Sequence, residues 1–200
     1  MQNHPFSIAF GAIIVLVTLV LTVRRCAFSR SCRSTPSPAT QQPADIYRNL
    51  RKMALETTPV SIGITPELGS TEPWGILMEM GRPGGVATLV AFATGDASLY
   101  FSTGGGVIGG VTHENVVRAA RHFVSTAQGY TDRMETVTTT PLPDPGKVRF
   151  YLLMPQGILA AKADEEALGK RRHELSPLFY AGQEVITELR LISEQRSRPN

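Results

Sequence analysis

The spacing of hydrophobic and polar positions changes several times along this chain. Residues 6–23, FSIAFGAIIVLVTLVLTV, form an unbroken apolar run without a charged residue. Apolar and polar positions then alternate between residues 74 and 103 and again over 147–154, which predicts β-strands. In the stretches between and after these, apolar residues recur every three to four positions, which predicts helices.

Helical spacing occurs four times after the apolar run. In the first case, residues 45–57, the stripe with Tyr47 and Met53 is predicted to be buried and Arg51 to face solvent. The second helix is predicted to begin at Thr112, a suitable N-cap, and to end before the C-capping Gly129. The remaining helical ranges are 164–172 and the stretch that starts at Ser176.

Short Gly-bearing turns join three β-rich runs between residues 74 and 103, so an antiparallel meander is predicted. Its middle run, residues 86–94, is apolar on both faces and is predicted to lie inside the sheet, covered on both sides. Residues 134–140 and 158–163 are candidate strands beside the run 147–154. The prediction is an α+β fold: a mostly antiparallel five- or six-stranded sheet packed by two or three helices, preceded by an N-terminal transmembrane helix.

The apolar run has the length and the flanks of a membrane anchor. As a helix, 18 residues would span roughly 27 Å, about the hydrocarbon thickness of a bilayer. No Lys or Arg precedes the run and Arg24-Arg25 follow it. The positive-inside rule therefore predicts a single-pass protein of the plasma or inner membrane, with its N-terminus outside and its domain in the cytoplasm. The alternatives are a cleaved signal peptide with an exported domain, or a buried core helix.

The basicity of the chain belongs to the membrane-side segment. The pI is about 9.1, yet all four charged residues up to Pro43 are Arg, and from Ala44 onward 16 Lys and Arg face 17 Asp and Glu. The domain is thus near neutral, and no nucleic-acid partner is expected. The predicted parts are a tail (1–5), the anchor (6–23), a basic collar with a disordered linker (24–43), a single α+β domain (44–195) and a C-terminal tail (196–200).

Two cysteines, Cys26 and Cys32, both lie in the collar and linker. Cysteines beside a membrane are candidates for lipidation, and two unmodified thiols are the alternative. Two cysteines without nearby His or further Cys cannot close a zinc site, so no metal is expected.

One glycine-rich stretch, residues 104–110, follows a predicted strand and precedes a predicted helix. Its spacing fits G-x-G-x-x-G, and amides at a helix N-terminus can hold an anion. However, the preceding strand belongs to a hairpin meander, and a bend that lets two backbones approach is the competing interpretation. The candidate ligand-binding residues are Gly104, Gly105, Gly106, Gly109, Gly110, Thr112 and His113.

The sequence offers no catalytic constellation, so no catalytic residue and no cofactor are predicted. The leading hypothesis is a membrane-anchored, non-catalytic cytoplasmic domain that mediates protein–protein interaction or self-association. The alternative is a membrane-tethered sensor or enzyme that binds an anionic small molecule or nucleotide at the glycine-rich stretch.

Overall fold

The computed structural model of the chain describes residues 43–65, 67, 69–110 and 112–196. Within these residues the fold is α+β, with one antiparallel sheet of seven strands and helices on both of its faces. The predicted anchor at residues 6–23 and both cysteines lie outside the described residues. No helix in the described part of the chain combines the length and the apolarity needed to cross a bilayer.

The helices and strands follow the predicted order. The helices are α1 (Pro43–Glu56), α2 (Glu114–Gln128), α3 (Glu165–Gly169) and α4 (Ser176–Arg196). The strands are β1 (Gly75–Arg82), β2 (Gly85–Phe92), β3 (Ala97–Phe101), β4 (Gly106–Val107), β5 (Glu135–Val137), β6 (Lys147–Met154) and β7 (Gly157–Asp164). Short 3-10 turns cover Val60–Ile62 and Thr131–Arg133.

The strand order is β4-β3-β2-β1-β6-β7-β5, and every pair is antiparallel. Tight turns make β1–β2 and β6–β7 into hairpins, and pairing of β1 with β6 joins the two halves at the centre of the sheet. The antiparallel α+β prediction is therefore confirmed, but the sheet has one strand more than the upper estimate. The extra strand is β4, a two-residue bridge within the glycine-rich stretch, which is too short to show alternation.

The larger core lies between the sheet and helices α2 and α4. Alternate residues of β1, β2 and β6 point into it, as the two-residue period of a strand requires. On β1 these are Ile76, Met78 and Met80, and they pack against helix residues such as Phe123 and Leu189. Burying side chains of this size contributes roughly 1.5–3 kcal/mol each, so this layer supplies most of the hydrophobic stabilisation.

The opposite face of the sheet is covered by α1 and by residues 138–146, which we call the crossing segment. It leaves β5 at one edge and reaches Gly81 on β1, where the Gly146 N–H donates to the Gly81 carbonyl at 3.0 Å. The core here is smaller and includes tyrosines, among them Tyr47 of α1 and Tyr151 of β6. This face therefore carries one helix and one irregular segment, whereas the other carries packed helices.

Candidate functional site

The predicted glycine-rich site is a tight turn folded against β3. Gly104, Gly105 and Gly106 have φ values of 103°, 82° and 147°, a region that residues with a side chain rarely adopt. At Gly106 a Cβ atom would also lie 2.3 Å from the carbonyl oxygen of Leu99. Close approach of two backbones therefore accounts for a glycine at this position.

Several amides of this stretch donate hydrogen bonds inside the protein. The Gly104 N–H donates to the Phe101 carbonyl at 2.9 Å, and the Gly110 N–H to the Ala97 carbonyl at 3.1 Å. The Gly109 N–H donates to the Ser98 hydroxyl at 3.3 Å. These three donors are engaged in holding the stretch to β3, so an anion would have to compete with β3 for them.

With Thr112 as the predicted N-cap, α2 would begin at His113. The helix begins one residue later, at Glu114, and His113 is its N-cap in an extended conformation. The exposed start of the helix lies beside a groove of about 340 Å³ shared with α4. Glu114 and Glu188 line that groove, and no described lining residue is Lys or Arg. Two carboxylates oppose an anionic ligand, although the helix N-terminus itself favours one.

Substitutions in this stretch separate backbone strain from close packing. We expect Gly105→Ala to lower the free energy of unfolding by about 1–2 kcal/mol, because its backbone is left-handed while no atom of the described residues meets a Cβ there. Gly106→Ala is expected to cost at least about 1 kcal/mol more, since its Cβ also meets the Leu99 carbonyl. Urea unfolding of the full chain in detergent, followed by Trp74 fluorescence, measures both. Equal losses for the two variants would contradict this account of Gly106.

The structure reveals an exposed apolar surface, which the sequence analysis did not predict. We call it the α1 patch and define it as Ile46, Leu50, Met53, Phe92 and Ile108. Ile46, Leu50 and Met53 follow one flank of α1 at helical spacing. Leu50 and Met53 line a groove of about 190 Å³ together with Phe92 and Ile108. The exposed fractions are 45% for Ile46, 67% for Met53 and 61% for Ile108. The prediction that Met53 is buried is therefore wrong.

Ile108 reaches the surface because of its position in the glycine-rich turn. Val107 still pairs with Leu99 in the sheet, whereas Gly109, with φ of 74°, turns the chain back toward β3. The residue between them is left at the edge of the sheet beside α1. The glycine-rich turn thus presents an isoleucine side chain next to the exposed flank of α1.

A buried polar cluster lies beneath α1. Glu79, at the centre of β1, has no exposed side-chain surface, and the guanidinium of Arg51 donates to its two carboxylate oxygens at 2.6 and 3.0 Å. The Thr88 hydroxyl donates to the same carboxylate at 3.3 Å and also bonds the Tyr47 hydroxyl at 2.9 Å. Burial raises the pKa of Glu79 above its ordinary value, and the hydrogen bond from Arg51 opposes only part of that rise.

The same cluster binds the crossing segment to α1. Arg51 donates to the Thr140 carbonyl at 2.6 Å, and its guanidinium carbon lies 5.8 Å from the centre of the Tyr151 ring. Tyr151 in turn donates its hydroxyl to the Pro141 carbonyl. Arg51 therefore points inward, which corrects the prediction that it faces solvent. Because these groups are enclosed, we assign the cluster to the attachment of α1 and not to chemistry on a ligand.

A sequence signal for this cluster did exist. Glu79 stands between two Met residues in a predicted strand with at least one buried face. An acidic residue is rarely fully buried unless it has a partner. The sequence could not name the partner, because Arg51 lies 28 positions away on another element.

Comparison with known proteins returned no match for this chain, whether to a family model, to a curated protein or to a solved structure. Within the described residues, no group of three or more His, Cys, Asp or Glu side chains could hold a metal ion. We therefore infer function from the surfaces of the described residues.

Proposed function

We propose that this chain is a membrane-anchored, non-catalytic domain that acts through protein–protein contact, with the α1 patch as its binding surface and a second copy of the chain as the occupant. The observation that carries the proposal is the pair Met53 and Ile108. These large apolar side chains are 67% and 61% exposed on the two sides of an apolar groove. Exposed apolar residues that are grouped around a concave surface are typical of interaction sites.

The charges around the patch favour a neutral protein surface as the partner. On the outer side of α1, Asp45 pairs with Arg48 and Lys52 pairs with Glu56, so the exposed charges of the helix cancel. A second copy is therefore not repelled by net charge, and an anionic lipid surface or a nucleic acid gains no attraction. The patch can also be self-complementary, because it offers both projecting side chains and a groove to receive them.

The predicted tether supports the same occupant. All of the chain that precedes the described residues joins α1 at Pro43, the helix that carries three residues of the patch. If residues 6–23 anchor each copy in one membrane, the patches of neighbouring copies are held at a similar height on short tethers. Confinement to one membrane raises the local concentration of the copies, so a modest interface suffices.

The alternative function, binding of an anionic small molecule at the glycine-rich stretch, has less support. Three of its amides donate to β3, and carboxylates of Glu114 and Glu188 line the adjacent groove. We therefore base the proposed function on the patch.

Energy transfer between labelled full-length copies in lipid vesicles tests the proposal. We expect transfer between wild-type copies above the level of random encounter. The double variant Met53→Glu/Ile108→Glu should weaken self-association about tenfold or more, because two charges would be buried in the interface. The control is Leu191→Glu, which places one such charge on a side chain 40% exposed on α4, across the sheet.

Loss of energy transfer in the patch variant alone supports the proposal, whereas equal energy transfer in all variants contradicts it.

A photoreactive residue at position 108 identifies the occupant in intact cells. Cross-linking to another protein with no transfer between copies would overturn the second copy as occupant and would leave a heterologous partner for the patch. Loss of transfer in both the patch variant and the Leu191→Glu control would contradict the assignment of the patch.

A further inference from the structure

A second apolar cavity lies on the α4 side of the sheet, at the end where β1 turns into β2. It measures about 330 Å³, which is at the lower end of the range for small-molecule sites. Met80 and Leu99 of the sheet and Ile186 of α4 line it, and Phe101 stands at its mouth with 39% of its surface exposed. We call this cavity the α4 groove, and none of its lining residues belongs to the α1 patch.

Two hydrogen-bond donors in the α4 groove share one weak acceptor. The side-chain amide of Gln183 donates to the thioether sulfur of Met80 at 3.4 Å, and an N–H group of Arg82 points to the same sulfur at 3.9 Å. A thioether accepts hydrogen bonds weakly, so an oxygen atom at this end of the cavity would be a better partner for both donors. The site therefore combines an apolar wall with a position for one oxygen acceptor.

The net charge near Arg82 determines which oxygen-bearing group of a ligand the α4 groove can accept. Arg82 already forms an ion pair with Glu165 through its other terminal nitrogen, so the site does not present an uncompensated cation. This arrangement suits a single carbonyl or carboxylate oxygen and disfavours a multiply charged group such as a phosphate. The ligand class that combines an aliphatic chain with a terminal carbonyl or carboxylate group is an acyl chain.

We infer that the α4 groove binds an acyl chain non-covalently, with its carbonyl or carboxylate oxygen at Gln183 and Arg82 and its aliphatic part against Met80, Leu99 and Ile186. The chain can come from a free fatty acid or from a membrane lipid. This inference does not depend on the α1 patch or on self-association, since the two sites share no lining residue.

The test uses the full chain in lipid nanodiscs and decanoate that carries a photoreactive diazirine. We expect saturable labelling of peptides from β1–β3 and α4, and competition by unlabelled decanoate. Within a series of shorter acids, each methylene should raise the affinity about fourfold until the cavity is full. The same probe built into a phospholipid of the nanodisc distinguishes a membrane lipid from a free acid as the source.

Two variants separate the site from partition into lipid. Ile186→Trp fills the cavity and should lower labelling about tenfold or more, whereas Leu191→Trp, further along the same helix, should leave it unchanged. Gln183→Leu keeps the cavity and removes one donor, so it should weaken decanoate binding about threefold to tenfold. Labelling that does not saturate, or that is equal in Ile186→Trp and wild type, would overturn the inference. Neither result would bear on the α1 patch, which is tested by energy transfer.

Discussion

Glu79→Ala is expected to lower the free energy of unfolding by about 3–5 kcal/mol, the range measured when one partner of a buried ion pair is removed. The substitution would leave the Arg51 guanidinium, whose side chain is 14% exposed, without its carboxylate. It would also remove the charge beside Arg149, the cross-strand neighbour of Glu79. The buried Nε atom of Arg149 has no hydrogen-bond partner among the described residues. The cost arises from the charges that remain, because each loses the anion that compensates for its burial.

Urea unfolding of the full chain in detergent, monitored by the single tryptophan Trp74, measures this effect. The control is the double variant Arg51→Met/Glu79→Leu, which removes both charges and keeps similar volume. We expect it to be less destabilised than Glu79→Ala, because no unpaired charge of this pair remains. If the two variants were equally unstable, the pair would contribute by packing alone, and its role in holding α1 by charge would be wrong.

Gly81→Ala is the second substitution with a large expected effect. Its Cβ atom would lie 2.0 Å from the carbonyl oxygen of Asp144 and 2.9 Å from that of Pro143, and both are backbone atoms of the crossing segment. A flexible side chain could move aside, but here the crossing segment must shift away from the sheet. We expect the free energy of unfolding to fall by about 3 kcal/mol or more, at the upper end of the range for overpacking. Amide hydrogen exchange in residues 138–146 should become faster.

The matched control is Gly169→Ala at the end of α3. No heavy atom of the described residues lies within 4 Å of a Cβ atom there, and its backbone is not left-handed. This substitution is expected to be neutral or to stabilise by about 0.4–1 kcal/mol, because alanine restricts the unfolded chain. Comparable losses for Gly81→Ala and Gly169→Ala would show that the crossing segment does not need the close approach at Gly81.

Much of the local structure could be predicted from the sequence, because it depends on neighbouring residues. The stripe that includes Val116, Ala120 and Phe123 predicts the buried face of α2, and Gly129 marks its end, as observed. The alternation in residues 147–154 predicts β6 with its observed bounds. The glycine-rich stretch is harder to interpret, since its spacing is compatible with a close backbone bend and also with an anion site. Its pairing with β3 became visible only in three dimensions.

The candidate surfaces could not be predicted in the same way. Met53 and Arg51 both lie on an amphipathic helix, and residue type alone predicts that Met53 is buried and that Arg51 faces solvent. The structure reverses both, because the docking of α1 is set by Glu79 below it and by Thr140 beside it. Ile108 is brought near Met53 by the path of the chain through β2 and β3. The α4 groove likewise joins residues of β1 and β3 to the distant Gln183 and Ile186.

The sequence alone predicts the α+β class, the antiparallel sheet and the order of its helices and strands, as well as an anchor at residues 6–23. These conclusions depend on periodicity, turn residues and uninterrupted apolarity, which are properties of short stretches of chain. The three-dimensional fold was needed to see that β6 pairs with β1, that the crossing segment meets Gly81, and which apolar side chains stay exposed. Long-range pairing and burial depend on contacts between residues far apart in the chain, and a local pattern contains no information about which distant partner will be present.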